Sequence, residues 1–430
     1  MALAATFLGG AKGRLLPASV PFRFFGAAVV FHLLAWLVLL AGASAAPSFA
    51  GGLGLPLAAL HLVTLGVLCM TAIGASLQLL PVATRQAVNS HQWPLLIWWL
   101  YTPGVVAIAA AMAVGAPWLL AVGALTVALT LVAVAILLAR NLLGARGMPV
   151  VVVHGWAALA SLLVMLAGAA ALALSYLGYA PLGRPAAMTL HLAFTGYGFM
   201  GMLVLGFSYI LVPMFALSDA PAQRPALASA ALAIAALLLA GAAAWAPEAQ
   251  ALRVLAILAG AAALAVHLAL MRTALRRGMR RDLGQPFVLV RVGWACLAAS
   301  LPAALALVLD WPLARLPALF GVLLIGGLLS ILLGMLSRIV PFLAAMHAGT
   351  GRRPPMPSAL TSQRPLDIHF VCHLGALTLL LGAVMTDSVW LVRVAAVVGA
   401  CGALAFAVFF ARAWLRMKGF GLALKTALPT

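Results

Sequence analysis

Acidic residues are almost absent from this sequence, which contains six Asp and Glu among 430 residues. Charged residues of either sign make up only 7%, whereas a soluble domain has about a quarter. The sequence also lacks a GxxxxGK[ST] phosphate loop, an HExxH helix and a CxxC pair. These absences argue against P-loop ATP hydrolysis, zincin proteolysis and a thiolate zinc site.

The positions of the six acids narrow the function further, because all of them fall at or beyond the ends of apolar runs. A proton-coupled transporter usually carries its proton on a buried carboxylate, and an acidic proton channel needs one as well. Neither class is supported here. The acids are Asp219, Glu248, Asp282, Asp310, Asp367 and Asp387.

Hydrophobic residues make up 66% of the sequence and are arranged in long runs. Apolar runs of about 20 residues are long enough to cross a bilayer, and only helices satisfy their own backbone groups there. We therefore predict an all-α polytopic membrane protein, a single transmembrane domain over residues 1–430 whose partner is the lipid bilayer. The predicted spans are about 22–45, 57–82, 93–114, 116–138, 151–178, 186–216, 225–245, 251–272, 285–309, 313–342, 367–386 and 389–414.

The net charge is +19, and most Arg and Lys residues fall between the spans. No basic stripe is interleaved with aromatic residues, so a nucleic-acid partner is not indicated. By the positive-inside rule, the basic segments face the cytoplasm. This predicts a multi-pass protein of the bacterial inner membrane with both termini cytoplasmic and a Pro/Ser-rich cytoplasmic linker at about 343–366. The predicted outer loops carry only Arg184, Arg253, Arg315 and Arg393.

Two spans resemble each other closely. The second reads HLVTLGVLCMTAIGASLQLLP and the sixth HLAFTGYGFMGMLVLGFSYILVP, with Gly five and Met nine positions after the histidine and a Gly-x-Ser-x4-Pro ending. The tenth span has a similar ending at Pro341 but no histidine, and Gly155-Trp156-Ala157 in span five matches Gly293-Trp294-Ala295 in span nine. We predict three pseudo-equivalent four-helix repeats, at about 15–140, 145–275 and 282–418.

The two repeated histidines, His61 and His191, are the strongest candidates for a functional site. Ionisable groups inside a membrane are costly, and neutral imidazole binds haem iron and copper. A single buried histidine can equally bond a backbone carbonyl, but placement at equivalent positions favours a cofactor-ligand role. His32, near the middle of span one, is a third candidate ligand or supporting residue. The glycines after each histidine leave room for a macrocycle or serve close helix packing.

Weaker candidates surround this pair. His369 and His373 are four residues apart on one helical face, a spacing that can chelate a metal. Met70 and Met200 are possible Cu(I) ligands, although methionine in a bundle usually fills space.

Charged and peripheral residues form a second group of weaker candidates. Three arginines at the predicted outer helix ends are candidates for haem propionate binding, or are interface anchors: Arg184, Arg315 and Arg393. His91, His267 and His347 are interpreted as interface or loop residues.

Twelve helices in three four-helix units, with histidines near the outer ends of spans two and six, resemble the catalytic subunit of the haem–copper oxidase superfamily. The resemblance implies that His61 is a haem ligand and His191 a copper ligand. Within the superfamily the chain is most similar to the NnrS-type proteins, haem- and copper-containing membrane proteins linked to nitric oxide. Its stretch MLSRIVPFLAAMHAGTGR, with Met335, Arg338, His347 and Arg352, resembles a Met-Thr-Arg…His-x-Gly-Arg stretch of that group.

The sequence departs from the superfamily in its catalytic residues. Span ten lacks the haem-binding histidines, span seven lacks the paired copper histidines, and Tyr197 is six rather than four residues after His191. We therefore expect no complete oxygen- or nitric-oxide-reducing centre. The expected cofactor is one b-type haem, held by His61 and His191 or by one of them with His32, or a lone copper.

The function expected from these residues is respiratory redox chemistry or nitric oxide handling, with a respiratory-chain protein as redox partner. If the chain is an enzyme, it is an oxidoreductase with a single haem or copper centre. Two alternatives belong to other classes: a transporter of metal or small solutes, and a cofactor-free assembly factor for a respiratory complex.

Overall fold

The computed structural model of the chain describes residues 16–86, 91–246, 248–348 and 355–426, the last six by their backbone alone. All regular secondary structure in these residues is helical. Within the described residues, twelve helices are long and apolar enough to cross a membrane, so the predicted all-α polytopic membrane fold is confirmed.

We number the twelve helices in chain order. They are α1 Ser19–Ala41, α2 Leu55–Thr84, α3 Gln92–Val114, α4 Pro117–Leu143, α5 Pro149–Ser175, α6 Arg184–Ala216, α7 Gln223–Trp245, α8 Gln250–Arg277, α9 Gly284–Val308, α10 Leu316–Ala348, α11 Gln363–Thr386 and α12 Val389–Thr426.

Three helices form the centre of the bundle. The most apolar stretches of α2, α6 and α10 are 67%, 78% and 61% buried, whereas no other span exceeds 50%. Around them, consecutive helices pack as pairs, and α12 packs against α1 so that the outer helices form a closed ring. The three central helices are the ones that the predicted repeat makes equivalent.

Glycine allows these helices to approach closely, as small residues commonly do in membrane bundles. A Cβ at Gly327 of α10 would lie 3.0 Å from the carbonyl oxygen of Gly293 on α9. A Cβ at Gly206 of α6 would lie 2.7 Å from Cβ of His154 on α5, and one at Gly74 of α2 would lie 2.8 Å from Cβ of Phe24 on α1. Each central helix therefore packs tightly against the helix that precedes it.

The predicted linker at 343–366 is shorter than expected. Helix α10 continues past Pro341 to Ala348, because the residues after the proline are apolar and largely buried, and a buried backbone needs helical hydrogen bonds. A single helical turn, Pro357–Leu360, precedes α11, which begins at Gln363. Residues 349–354 of the linker, including Arg352 of the NnrS-like stretch, lie outside the described residues.

Candidate functional site

His61 and His191, which were singled out in the sequence, face each other in the structure. Their ring centroids are 6.3 Å apart and the ring planes differ by only 7°. Each histidine lies about two turns from the start of its helix, His61 in α2 and His191 in α6. Two central helices therefore present equivalent side chains to one another.

The hydrogen bonds of His61 determine which nitrogen is available as a ligand. Its Nδ1 donates to the carbonyl oxygen of Leu57 at 3.0 Å, so Nε2 retains its lone pair. Nδ1 of His191 is buried and makes no hydrogen bond within the described residues. Both rings are only partly exposed. The pair thus offers neutral imidazole nitrogens in a restricted, mostly apolar setting.

Both histidines are followed by a π-helical segment, which begins one residue after His61 in α2 (Leu62–Cys69) and three residues after His191 in α6 (Phe194–Met200). A π turn widens the helix and is often found at functional sites. The hydroxyl of Tyr101 on α3 donates to the Leu65 carbonyl at 3.2 Å. The hydroxyl of Thr195 donates to the His191 carbonyl at 2.5 Å. The first bond reaches the π segment from a neighbouring helix, whereas the second is the ordinary bond to the carbonyl four residues earlier.

The glycines after the histidines serve packing in this structure. A Cβ at Gly66 would lie 2.6 Å from the ring of Phe31, and one at Gly196 would lie 2.6 Å from the side chain of Leu324. These positions are filled by neighbouring helices, α1 in one case and α10 in the other. Of the two roles considered for these glycines, the contacts support close packing.

The two histidine helices also end alike. Arg85 and Leu217, each four residues after a proline, have left-handed backbones with φ of 60° and 54°. The next amide then donates to the proline carbonyl, Gln86 to Pro81 at 3.1 Å and Ser218 to Pro213 at 3.0 Å. Such a left-handed residue closes the last turn of a helix. The matching motif in the sequence therefore corresponds to a matching backbone from the histidine to the helix end.

His32, the third candidate, makes its ring contacts elsewhere. Its Nε2 accepts a hydrogen bond from Trp36 Nε1 at 3.1 Å, and its ring centroid is 6.2 Å from that of His369. His369 lies 5.7 Å from His373. The structure thus groups His32 with the two histidines of α11.

Both histidines of α11 already have hydrogen-bonding partners. Nδ1 of His369 donates to the Gly402 carbonyl at 3.1 Å. Nε2 of His373 lies 2.8 Å from Ser330 Oγ, whose own proton goes to the Gly326 carbonyl. A metal on this pair would have to use the remaining nitrogens, so chelation by His369 and His373 stays a prediction.

Met70 and Met200 are fully buried in the central core. Each lies nine residues from the histidine of its own helix, about 13 Å along the axis. A metal ion bound to His61 or His191 is out of reach of the methionine on the same helix. Their packing is that of core residues.

The three arginines proposed as propionate partners lie in different settings. Arg315 forms an ion pair with Asp387 at 3.5 Å and donates to the Met385 carbonyl at 2.7 Å. Arg184 lies over the ring of Tyr176 at 5.7 Å, and Arg393 is exposed. Arg315 thus already holds a carboxylate, and a propionate would have to compete with it.

The residue types available limit the kind of metal site. Within the described ranges, no group of three or more His, Cys, Asp and Glu residues is arranged to hold a metal ion. A closed structural zinc site usually takes four such ligands. Two facing imidazoles suit instead a metal whose other ligands come from a macrocycle, or a two-coordinate Cu(I).

A second polar cluster was missed in the sequence. His154, Tyr209, His267 and Trp294 form a chain of ring contacts across four helices, with centroid distances of 5.5, 5.1 and 6.4 Å. The interpretation of His267 as an interface or loop residue is wrong, because its side chain is completely buried. Nε2 of His154, both nitrogens of His267 and Nε1 of Trp294 have no hydrogen-bond partner within the described residues. Two repeated motifs in the sequence each included a member of this cluster: Trp294 in Gly-Trp-Ala, and Tyr209 in the ending of the sixth span.

No protein-family model and no curated protein matches the chain. The fold and the histidine pair therefore define its class on their own: a polytopic helical membrane protein with two facing histidines at its centre. The relationship to the haem–copper oxidase superfamily, and to NnrS-type proteins within it, stays a hypothesis based on the sequence.

Proposed function

We propose that this chain binds a b-type haem or a copper ion between His61 and His191 and acts in one-electron redox chemistry within the membrane. The observation that carries the proposal is the facing pair of imidazole rings at the ends of two central helices. The repeat-equivalent positions of the pair and the π-helical segment after each histidine support a shared role for both residues.

The two rings are close enough for one bound group to contact both. They are nearly parallel, and their centroids are 6.3 Å apart. The Leu57 carbonyl orients His61 and fixes its tautomer, as supporting hydrogen bonds do at metal-ligating histidines.

The chemistry follows from the ligand set. When bound, a haem or copper supplies a one-electron couple whose potential is set by its ligands and by burial. If His61 and His191 both held one haem, the site would favour electron transfer or sensing over catalysis. The role of the protein residues is to hold two neutral imidazoles in place and to limit water around them.

The sequence departures define the limits of this function. The equivalent helix α10 carries Leu319 or Gly321 where the other two have histidine. A complete oxygen-reducing centre therefore lacks ligands, and a role in electron transfer or nitric oxide handling, with a respiratory-chain partner, is the better proposal.

Spectroscopy with metal analysis tests the proposal. We expect the purified protein to show a reduced-minus-oxidised haem spectrum, or stoichiometric copper without haem. His61→Ala and His191→Ala should each reduce cofactor content to near background. The exposed His91→Ala and the buried His369→Ala serve as controls and should retain it.

Two results would overturn the proposal. One is a folded wild-type protein that contains neither haem nor copper after expression with both supplied. The other is full cofactor content in both His61→Ala and His191→Ala. Cofactor-free protein that moves copper across vesicle membranes would support the transporter alternative instead. Co-purification with a respiratory complex and tolerance of both substitutions would support an assembly factor.

A further inference from the structure

A groove of about 560 Å³ lies where helix α8 ends and helix α9 begins. Four arginines line it, and all four are exposed: Arg272, Arg276, Arg281 and Arg291. The rest of its lining is apolar and includes Leu268, Trp294 and Ala298. The groove therefore combines a concentrated positive charge with an apolar floor.

The charge of this groove is not balanced by the protein. Within the described residues, none of the four guanidinium groups forms an ion pair with a carboxylate. The nearest acid in the sequence, Asp282, accepts a hydrogen bond from the Gly284 amide at 2.8 Å. Nη1 of Arg281 donates to the Arg276 carbonyl at 2.8 Å, which holds that side chain in place. Such a cluster is a ready partner for an external anion.

The arginines lie toward one end of the groove, and most of the apolar lining extends toward the other, although Leu275 lies among the arginines. On α8, Leu268, Arg272 and Arg276 follow at four-residue intervals along one face, with the arginines toward the helix end. On α9, which runs back from the same end, Arg291 comes first, and Ala295 and Ala298 follow further along the helix. A ligand that fills the whole groove must have an anionic head and an apolar tail.

The groove also lies where a lipid headgroup would meet it. The apolar run of α8 gives way to arginines at its C-terminal end, so the four guanidinium groups lie near the membrane boundary. Basic pockets between membrane helices on the cytoplasmic side bind anionic lipid headgroups. The charge distribution predicts that this end faces the cytoplasm.

We propose that this groove binds an anionic phospholipid, with phosphate among the arginines and an acyl chain along the floor formed by Leu268, Ala295 and Ala298. Guanidinium groups bind phosphate with paired hydrogen bonds. Four cations without a carboxylate partner favour a lipid with two phosphates, such as cardiolipin, over one with a single charge. This site lies apart from the histidine pair, so lipid binding can be tested independently of the proposed cofactor.

Lipid titration of the purified full-length protein in neutral detergent tests the proposal, with cardiolipin and phosphatidylcholine as probes. We expect cardiolipin to bind and phosphatidylcholine not to compete. The double variant Arg272→Gln/Arg276→Gln should weaken cardiolipin binding by about 30-fold. The control Arg140→Gln/Arg146→Gln removes the same charge at another exposed site and should change binding by less than about twofold.

A second variant separates a lipid from a simple anion. Ala298→Trp fills the apolar floor without changing charge, and should weaken cardiolipin binding while leaving the arginines intact. The proposal is overturned if both arginine pairs reduce binding equally, since the effect is then general electrostatics. It is also overturned if Ala298→Trp has no effect and inorganic phosphate displaces the lipid completely, since the site is then one for a free anion. The melting temperature of each variant establishes that it is folded.

Discussion

Helices α2 and α6 differ from α10 in a way that their shared central position does not explain. All three are the most buried helices of the bundle. The first two carry a histidine followed by a π-helical segment, whereas α10 has no such histidine and is α-helical from Leu316 to Ala348. Central packing alone therefore does not require the irregular backbone. The π segments accompany the histidines.

The π segment of α2 receives a hydrogen bond from a neighbouring helix. Carbonyl groups inside a membrane must find donors within the protein. Tyr101 on α3 donates to the carbonyl of Leu65, which also accepts the Met70 amide. In α10, Ser330 and Ser337 donate to the carbonyls four residues earlier, as Thr195 does in α6. Among these side-chain bonds, only that of Tyr101 reaches a π segment from another helix.

Among the substitutions that test this difference between the central helices, Gly168→Ala on α5 should have the largest effect on stability and on the position of His191. The added methyl would lie 2.8 Å from the His191 amide nitrogen and 3.0 Å from the Ala187 carbonyl oxygen, so backbone rather than a flexible side chain must move. We expect a loss of stability of about 1–3 kcal/mol and a separation of His191 from His61. Thermal unfolding measures the first effect, and cofactor content per protein measures the second.

Gly321→Ala on α10 is the matched control for this substitution. A Cβ at Gly321 meets no atom of the described residues within 4 Å, and the position lies in α10, which has no histidine equivalent to His61 or His191. We expect stability within about 0.5 kcal/mol of the wild type and unchanged cofactor content. Equal effects of the two substitutions would contradict the claim that α5 positions His191.

An intermediate effect is expected for Tyr101→Phe. The substitution keeps the ring, which is completely buried, and removes the donor to the Leu65 carbonyl. The Leu65 carbonyl keeps the Met70 amide as a donor, so losing the second donor should cost about 0.5–1 kcal/mol and loosen the π segment after His61. Hydrogen exchange of the amides in residues 62–69, followed by mass spectrometry, should become faster.

Tyr197→Phe provides the comparison for Tyr101→Phe. The Tyr197 hydroxyl lies 2.7 Å from Ser300 Oγ, a side chain that also donates to the Leu297 carbonyl. Removing the Tyr197 hydroxyl takes no donor away from a backbone carbonyl, so a smaller loss is expected. Faster exchange after Tyr197→Phe than after Tyr101→Phe would show that the π segment does not depend on the Tyr101 bond.

The sequence was sufficient to predict the membrane fold and the histidine pair. Run length determines what spans a bilayer, and the repeated motif made His61 and His191 stand out. It did not predict the π segments, because apolar runs such as LVTLGVLC have the same composition in either helix type. Nor did it predict the burial of His267. In a helix that is apolar on all sides, no periodicity indicates which face meets its neighbours, and only tertiary packing decides this.

The smallest predicted effect concerns serines at equivalent places in the two histidine helices. Ser208 Oγ in α6 donates to the Val204 carbonyl at 2.7 Å, whereas Ser76 Oγ in α2 is buried without a partner in the described residues. Since an unpaired buried hydroxyl costs free energy, Ser76→Ala should leave stability unchanged or raise it by about 0.5 kcal/mol. Ser208→Ala removes a bond and should lower stability by about 0.5 kcal/mol. The sign of the difference between the two melting temperatures is the measurement. A loss of stability in Ser76→Ala equal to that in Ser208→Ala would mean that the two helices are more alike than their hydrogen bonds indicate.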